Sequence, residues 1–498
     1  MNARLLWLLP LLLGFHLLAA TYYVSTTGND GADGSVATPW ASPGFASRQL
    51  VPGDTLIILG GTYILSEYDA DILIPPSGTP ANWITIEGEP GNTPVLAGRD
   101  NLYSAVLLDG KHYLHFRNLE ITHDETAMGG AIWFREGINM SGAPCSNLIF
   151  EDINIHHLDE FGIDAGDIEN VQFLNCSVTY CGFGSLGGPE GVVGGWRNVT
   201  ISGCDLSYSG HYYQGGDGSV RPYDRPDGFG IEASIGPILI EDTVFAHNYG
   251  DGLDSKAANT TIRRCMMANN SCDGLKLWGG GSRAENCLIY GRGDGNPTPT
   301  PWSAIVIGTT QANATFELVN LTVDDALGQN YIMHAQYDDN FPIQLTVQNC
   351  IFRGSGPNCP IWLRDTVAVT WLHNTFYFPQ LTDFLEQGGQ YWGPGNIASL
   401  GSENQAADPQ FLSPAWGAAG NYHVAELSPV IDSGLAGGAP MDDLEGHQRD
   451  GQPDRGCYES VDCTASFLAQ LLTSLAEGSW PLTHSVLDYV GWLNVCSN

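Results

Sequence analysis

Three segments of this chain repeat one another at nearly constant spacing. Asp227 to Ser234 reads DGFGIEAS, Asp251 to Asn259 reads DGLDSKAAN and Asp273 to Gly281 reads DGLKLWGGG. The first two aspartates lie 24 residues apart and the second two lie 22 apart. Superposed, the segments align Gly230, Asp254 and Lys276 in one column and Glu232, Lys256 and Trp278 in another. Phe229, Leu253 and Leu275, and then Ile231, Ser255 and Leu277, run between those columns. Such alternation is the period of a strand with one buried face. A period of this length marks stacked units, each too small to bury its apolar face alone. An earlier copy, DEFGID from Asp159 to Asp164, fits the same frame.

Other short β-rich runs extend the pattern. LIFEDINI, VQFLNCSV, VTISGCDL, TIRRCMMA, LTVQNCIF and VTWLHNTF are each punctuated by Gly, Asn or Asp, with no helical periodicity of comparable strength. The expected fold is all-β, a right-handed parallel β-helix whose turns stack at about 4.8 Å. A solenoid grows along one axis, so residues 21–460 are expected to form one domain despite their number. Residues 461–498 hold FLAQLLTSL and HSVLDYVGWLNV, two candidate short helices. The passage after Gly401, with YHVAELSPVIDSG and DDLEGHQRDGQPDRGCYE, resembles the segment that caps the open end of many secreted β-helix proteins.

Residues 1–20 carry a basic residue at Arg4, an apolar run from Leu5 to Leu18 and small residues at Ala19 and Ala20. This is the pattern of a secretory signal peptide, so the protein is expected to be secreted and extracellular, with no membrane span. The formal net charge of −36 argues against nucleic acid or an anionic membrane as partner. An acidic polysaccharide would also be repelled unless cations mediate the contact. A monomer is expected.

Lys111, Lys256 and Lys276 are the only lysines, and two of them fall in the repeated segments. Of the twelve cysteines, Cys176, Cys204, Cys265, Cys287 and Cys350 each open an apolar alternation and read as small buried side chains. Cys350 with Cys359, and Cys457, Cys463 and Cys496, are disulfide candidates in an oxidising compartment.

With Phe229 and its counterparts pointing inward, Asp254 and Lys276 must point outward on neighbouring rungs, roughly 5 Å apart. Asp227 and Asp251 start their rungs at one edge, where a turn swings a carboxylate towards Asp254. Three hard oxygen donors of this kind suit Ca²⁺. An exposed ion pair accounts equally well for Asp254 with Lys276, and Glu232 offers Lys256 the same arrangement. Asp273 reads as turn chemistry alone. The long connection from His211 to Asp227 carries Arg221 and is a candidate binding loop.

GDGLDSKAAN followed by DGLKLWGGG resembles the calcium-site and catalytic-lysine rungs of the family 9 polysaccharide lyases, secreted pectate lyases built on a parallel β-helix. YYVSTTGNDGADGSVATPW and PGDTLIILGGTY are similar to that group's amino-terminal turns. The resemblance implies Ca²⁺ ligation by Asp251, Asp254 and Asp227, with Lys276 as the base. It departs at Gly250, where the family's pattern has a further acid. Trp278, Arg292 and Arg221 are candidate substrate-binding residues. The expected activity is β-elimination on a uronic-acid polymer, with pectate first and alginate or another uronate glycan as the alternative. A non-catalytic glycan-binding or adhesin-type β-helix is the reading from a different class.

Overall fold

The computed structural model describes residues 19–124, 134–213, 226–292, 303–325, 331–354, 359–415 and 420–460. Arg221, residues 1–18 and the expected helices of 461–498 lie outside them. The chain forms two compact units, Met1–Ile238 and Leu239–Asn498.

In the first unit the chain alternates between two parallel sheets and returns to each one rung further on. Ile84–Gly88, His112–His123, Cys145–Leu158, Ile168–Leu174 and Arg197–Ser202 pair in succession on one face. Leu102–Leu107, Phe134–Met140, Phe161–Ala165, Gly184–Gly188 and Asp227–Ser234 do so on another. The second unit repeats this plan with three faces. Thr260–Arg263, Ser282–Glu285, Ala314–Val319, Ile343–Gln348 and Val367–Leu372 build the first. Leu253–Ala257, Leu275–Leu277, Ser303–Ile307, Tyr331–Ala335, Ile361–Leu363 and Leu385–Gln387 build the second. Val244–Ala246, Met266–Asn270, Leu288–Arg292, Thr322–Asp325, Ile351–Gly354 and Thr375–Tyr377 build the third. A parallel coil of this kind is what the repeat spacing predicts. Among the described residues helix is confined to short pieces such as Pro43–Ser47 and Tyr68–Asp71. No helix among the described residues is long and apolar enough to cross a membrane.

Because register is kept from rung to rung, like side chains stack on like. Phe116, Phe150 and Phe173 are register partners, and their rings lie parallel with centroids 5.5 and 5.3 Å apart. Phe150 is fully buried between the other two. Phe150→Ala is expected to destabilise the first unit by about 3–5 kcal/mol, the usual cost of a large buried aromatic plus its cavity. Urea unfolding followed by near-ultraviolet circular dichroism checks this.

One corner of each coil in the second unit is a left-handed residue. Arg264, Asn286, Asn320, Asn349 and His373 have φ of 52, 51, 53, 55 and 54°. Asparagine adopts this conformation most readily after glycine, which explains its recurrence here. Their side chains have a second use: the terminal passage, whose Gln405–Ala406 first pairs with Thr375–Tyr377, runs back along these corners. Asn286 Nδ2 donates to Asp442 O at 2.6 Å, Asn320 Nδ2 to Asp454 O at 2.9 Å and Asn349 Nδ2 to Leu435 O at 3.0 Å. His373 Nδ1 lies 3.1 Å from Ser433 O, and Arg264 Nη1 lies 2.9 Å from Asp442 Oδ2.

Cys176, Cys204, Cys265, Cys287 and Cys350 are buried free thiols, as their settings suggest. Cys350, Cys359 and Cys457 form no disulfide, against the sequence expectation. Cys350 and Cys457 are both at 0 % exposure: Cys350 is enclosed within the coil, and Cys457 is enclosed where the terminal passage packs with Ala268, Leu288 and Tyr290. Cys463 and Cys496 lie outside the described residues.

Candidate functional site

The backbone ladder aligns Asp254 with Lys276 on adjacent rungs of the second unit. Spacing alone leaves the corners of these rungs open, and there the structure adds a device. Asp251 Oδ1 accepts the backbone N–H of Asp273 at 2.8 Å, and Asp273 Oδ1 accepts that of Ser303 at 2.7 Å. Each corner aspartate thus satisfies a backbone donor of the next rung, which an exposed turn would leave to water. Asp273 therefore ties rungs together, beyond the turn role expected for it. Behind the corner, Asn248 Nδ2 donates to Asn270 Oδ1 at 2.9 Å in the interior.

With Oδ1 occupied, Asp251 turns Oδ2 to Lys276, whose Nζ is 3.2 Å away; Asp254 Oδ2 is 3.0 Å from the same nitrogen. Asp251 and Asp254 are 6 % and 7 % exposed. Burial acts to lower the Lys276 ammonium, but Asp251 and Asp254, with Asp273 behind them, outweigh it and hold the lysine above its ordinary value. Burial pushes the Asp254 carboxyl up to about 6, with Lys276 opposing and Asp251 adding to the shift. This is no exposed surface pair: two buried carboxylates share one ammonium.

The set also fits a hard divalent cation. Its donors are all oxygen, and Asp254 Oδ1 is buried with no hydrogen-bond partner. The available oxygens are the two of Asp254 and Oδ2 of Asp251. Asp227 opens the strand Asp227–Ser234 of the first unit. Its Oδ2 lies 2.8 Å from where a Cβ on Gly230 would stand. Glycine at that column position leaves room for the carboxylate to fold over it. Trp278 is half-buried, and its six-membered ring lies against Gly308, where an added Cβ would come within 2.9 Å. Arg292 ends the strand Leu288–Arg292 on the third face, in register with Asn270. Its side chain lies outside the described residues.

Sequence reasoning missed a second polar cluster, in the first unit. Asn139 Nδ2 donates to Glu136 Oε2 at 2.8 Å and approaches Asp164 Oδ2 at 3.3 Å. Burial pushes Glu136 up to about 8, with Asp164 adding to the shift, and pushes Asp164 up to about 6. Glu136 is 4 % exposed. The native state therefore binds this proton more tightly than the unfolded chain, whose glutamate titrates near about 4.3. The stabilisation is complete below that value and is lost as pH rises through about 8. Urea unfolding at a series of pH values is expected to show stability falling by a few kcal/mol, on the order set by the shift, and Glu136→Gln is expected to flatten the slope.

A family model described as "Pel9A-like, right handed beta helix region" matches residues 22–188, and one described as "Right handed beta helix region" matches residues 192–376. The fold is a right-handed parallel β-helix. Among solved β-helices the chain is similar to XylC, determined with xylose, at 11% identity over 89% of this chain and 98% of that one, with a TM-score of 0.57. It is similar to the A-module of the Azotobacter vinelandii mannuronan C-5 epimerase AlgE6 at 14% identity over 72% and 92%, with a TM-score of 0.52. Pectate lyase Pel9A matches at 16% identity over 89% and 96%, with a TM-score of 0.45. At such identities the likeness is one of fold. No curated protein matches the sequence.

Proposed function

We propose that this β-helix is an exported, calcium-dependent polysaccharide lyase that cleaves a uronic-acid polymer, pectate first among them, by β-elimination, with Lys276 as the base. The observation that carries the reading is the convergence of Asp251 and Asp254 on the one amine of Lys276, on an outward face of a coil. Two solved structures with the same fold, the epimerase A-module and XylC with xylose, are named for carbohydrates, which supports a glycan as partner.

Elimination removes the C5 proton of a uronate, forms the C4=C5 double bond and breaks that uronate's own C4–O4 bond, so that the glycosidic oxygen leaves with the neighbouring sugar and is protonated as its C1 hydroxyl. Lys276 accepts that proton only as a free amine. Asp251 and Asp254 hold its Nζ from two sides, and a cation drawing on the same oxygens would free that amine to serve as the base. Held by Asp251 and Asp254, calcium would supply positive charge beside the substrate carboxylate and so make the C5 proton removable. A bound cation also reconciles an acidic protein with an acidic polymer. The test is ultraviolet absorbance of unsaturated uronate on incubation with polygalacturonate and calcium. No absorbance from polygalacturonate, alginate or other uronate glycans would leave a binding protein.

A further inference from the structure

The outward column that holds Lys276 continues for three more rungs. Lys276 is in register with Val306, Val306 with His334 and His334 with Trp362, which sets Trp362 roughly 14 Å from the lysine at about 4.8 Å per rung. This stretch is aromatic. Tyr337 and Phe341 are 39 % and 40 % exposed. Tyr337 meets Trp362 edge-on with centroids 5.4 Å apart. Trp278, Gly308, His334, Tyr337 and Asp339 line one small recess beside the buried Val306.

The charge on this stretch is unsuited to a run of uronates. From Ser303 to Trp392 the sequence has two arginines, Arg353 and Arg364, and no lysine. Arg353 is paired with Asp324 at 2.8 Å. Arg364 holds the loop after Gln336: its Nε donates to Gln336 O at 2.6 Å, and its terminal nitrogens bond Tyr337 O and Asn340 Oδ1. Asp338 and Asp365 are exposed, and Asp339 and Glu386 are half-buried. A carboxylate bound here would meet aromatic faces, four carboxylates and a single guanidinium, that of Arg364 over the Trp362 ring, whose donors are already held by Gln336, Tyr337 and Asn340. The C–H face of a neutral pyranose, in contrast, is complementary to an aromatic ring.

We propose that the subsites from Trp278 to Trp362 bind neutral sugars by stacking, so that the substrate is a heteropolysaccharide in which uronates are interspersed with neutral residues. This rests on the lyase reading for the position of the reacting uronate, but its test does not need turnover. Binding is measured by calorimetry in a Lys276→Ala background with calcium present, using two oligosaccharides of equal length. One alternates galacturonate with a neutral sugar and the other is all galacturonate. The alternating oligomer is expected to bind at least about tenfold more tightly. Trp362→Ala is expected to remove most of that preference, and Trp362→Phe, which keeps an aromatic face, to retain it. Equal or tighter binding of the all-galacturonate oligomer, or a preference untouched by Trp362→Ala, overturns the proposal. A lack of elimination on every polymer would overturn the lyase reading alone.

Discussion

Lys276→Ala is expected to lower the elimination rate by about 10²–10⁴-fold, the range a positioned general base contributes. The backbone ladder to Leu253–Ala257 and Ser303–Ile307 stays intact, but Asp251 and Asp254 lose their buried partner, so the variant is expected to fold with a stability lower by up to about 3–5 kcal/mol. The rate of the unaltered protein is expected to rise with pH into the alkaline range. Only the amine form of Lys276 accepts a proton, and Asp251 and Asp254 hold the lysine above its ordinary, already alkaline, value wherever no cation offsets their charge. Initial rates on polygalacturonate across pH, with circular dichroism of the variant, check both points. Wild-type turnover by a well-folded Lys276→Ala protein would remove the lysine from the chemistry.

Chelation of calcium is expected to stop turnover, and Asp254→Asn to raise the calcium needed for half-maximal rate by at least about tenfold. Even partners one shell out from a metal are commonly worth that much. The geometry adds a readout independent of activity. The ammonium of Lys276 and a divalent cation would draw on the same carboxylate oxygens, Oδ2 of Asp251 and Oδ2 of Asp254. Lys276→Ala, although inactive, is therefore expected to bind calcium more tightly than the unaltered protein by calorimetry. Absence of calcium binding in both proteins would leave the carboxylates as partners of the lysine alone.

What could be read in the sequence depended on whether a feature recurs. The coil and the pairing of Asp254 with Lys276 follow from a period of 22 residues, since one full turn returns a strand to the same face. The reach of Asp251 to Lys276 depends on a rung corner, where the Asp-Gly pattern does not specify which oxygen turns inward. Glu136 and Asn139 were missed because FREGIN carries no copy of the Asp-Gly column, and Asp164, although it ends the DEFGID copy, meets them only through its register with Asn139. Trp362 was missed for a related reason: IWLRD keeps the register of the repeated segments but neither their Asp-Gly corner nor their lysine. The return of the terminal passage along Asn286, Asn320 and Asn349 depends on contacts between residues far apart in sequence. The asparagines alone indicate only left-handed corners.

The buried thiols have a bearing on how this protein can fail. Cys176 and Cys204 occupy successive coils of the first unit, and Cys265 and Cys287 successive coils of the second. Burial raises Cys350 and Cys457 to about 12, which keeps those thiols unreactive while the coils are closed. Unfolding returns them to ordinary acidity all at once, with many possible partners. In an oxidising medium heat would then leave scrambled, cross-linked chains, so the protein's working lifetime there is governed by how rarely its coils open.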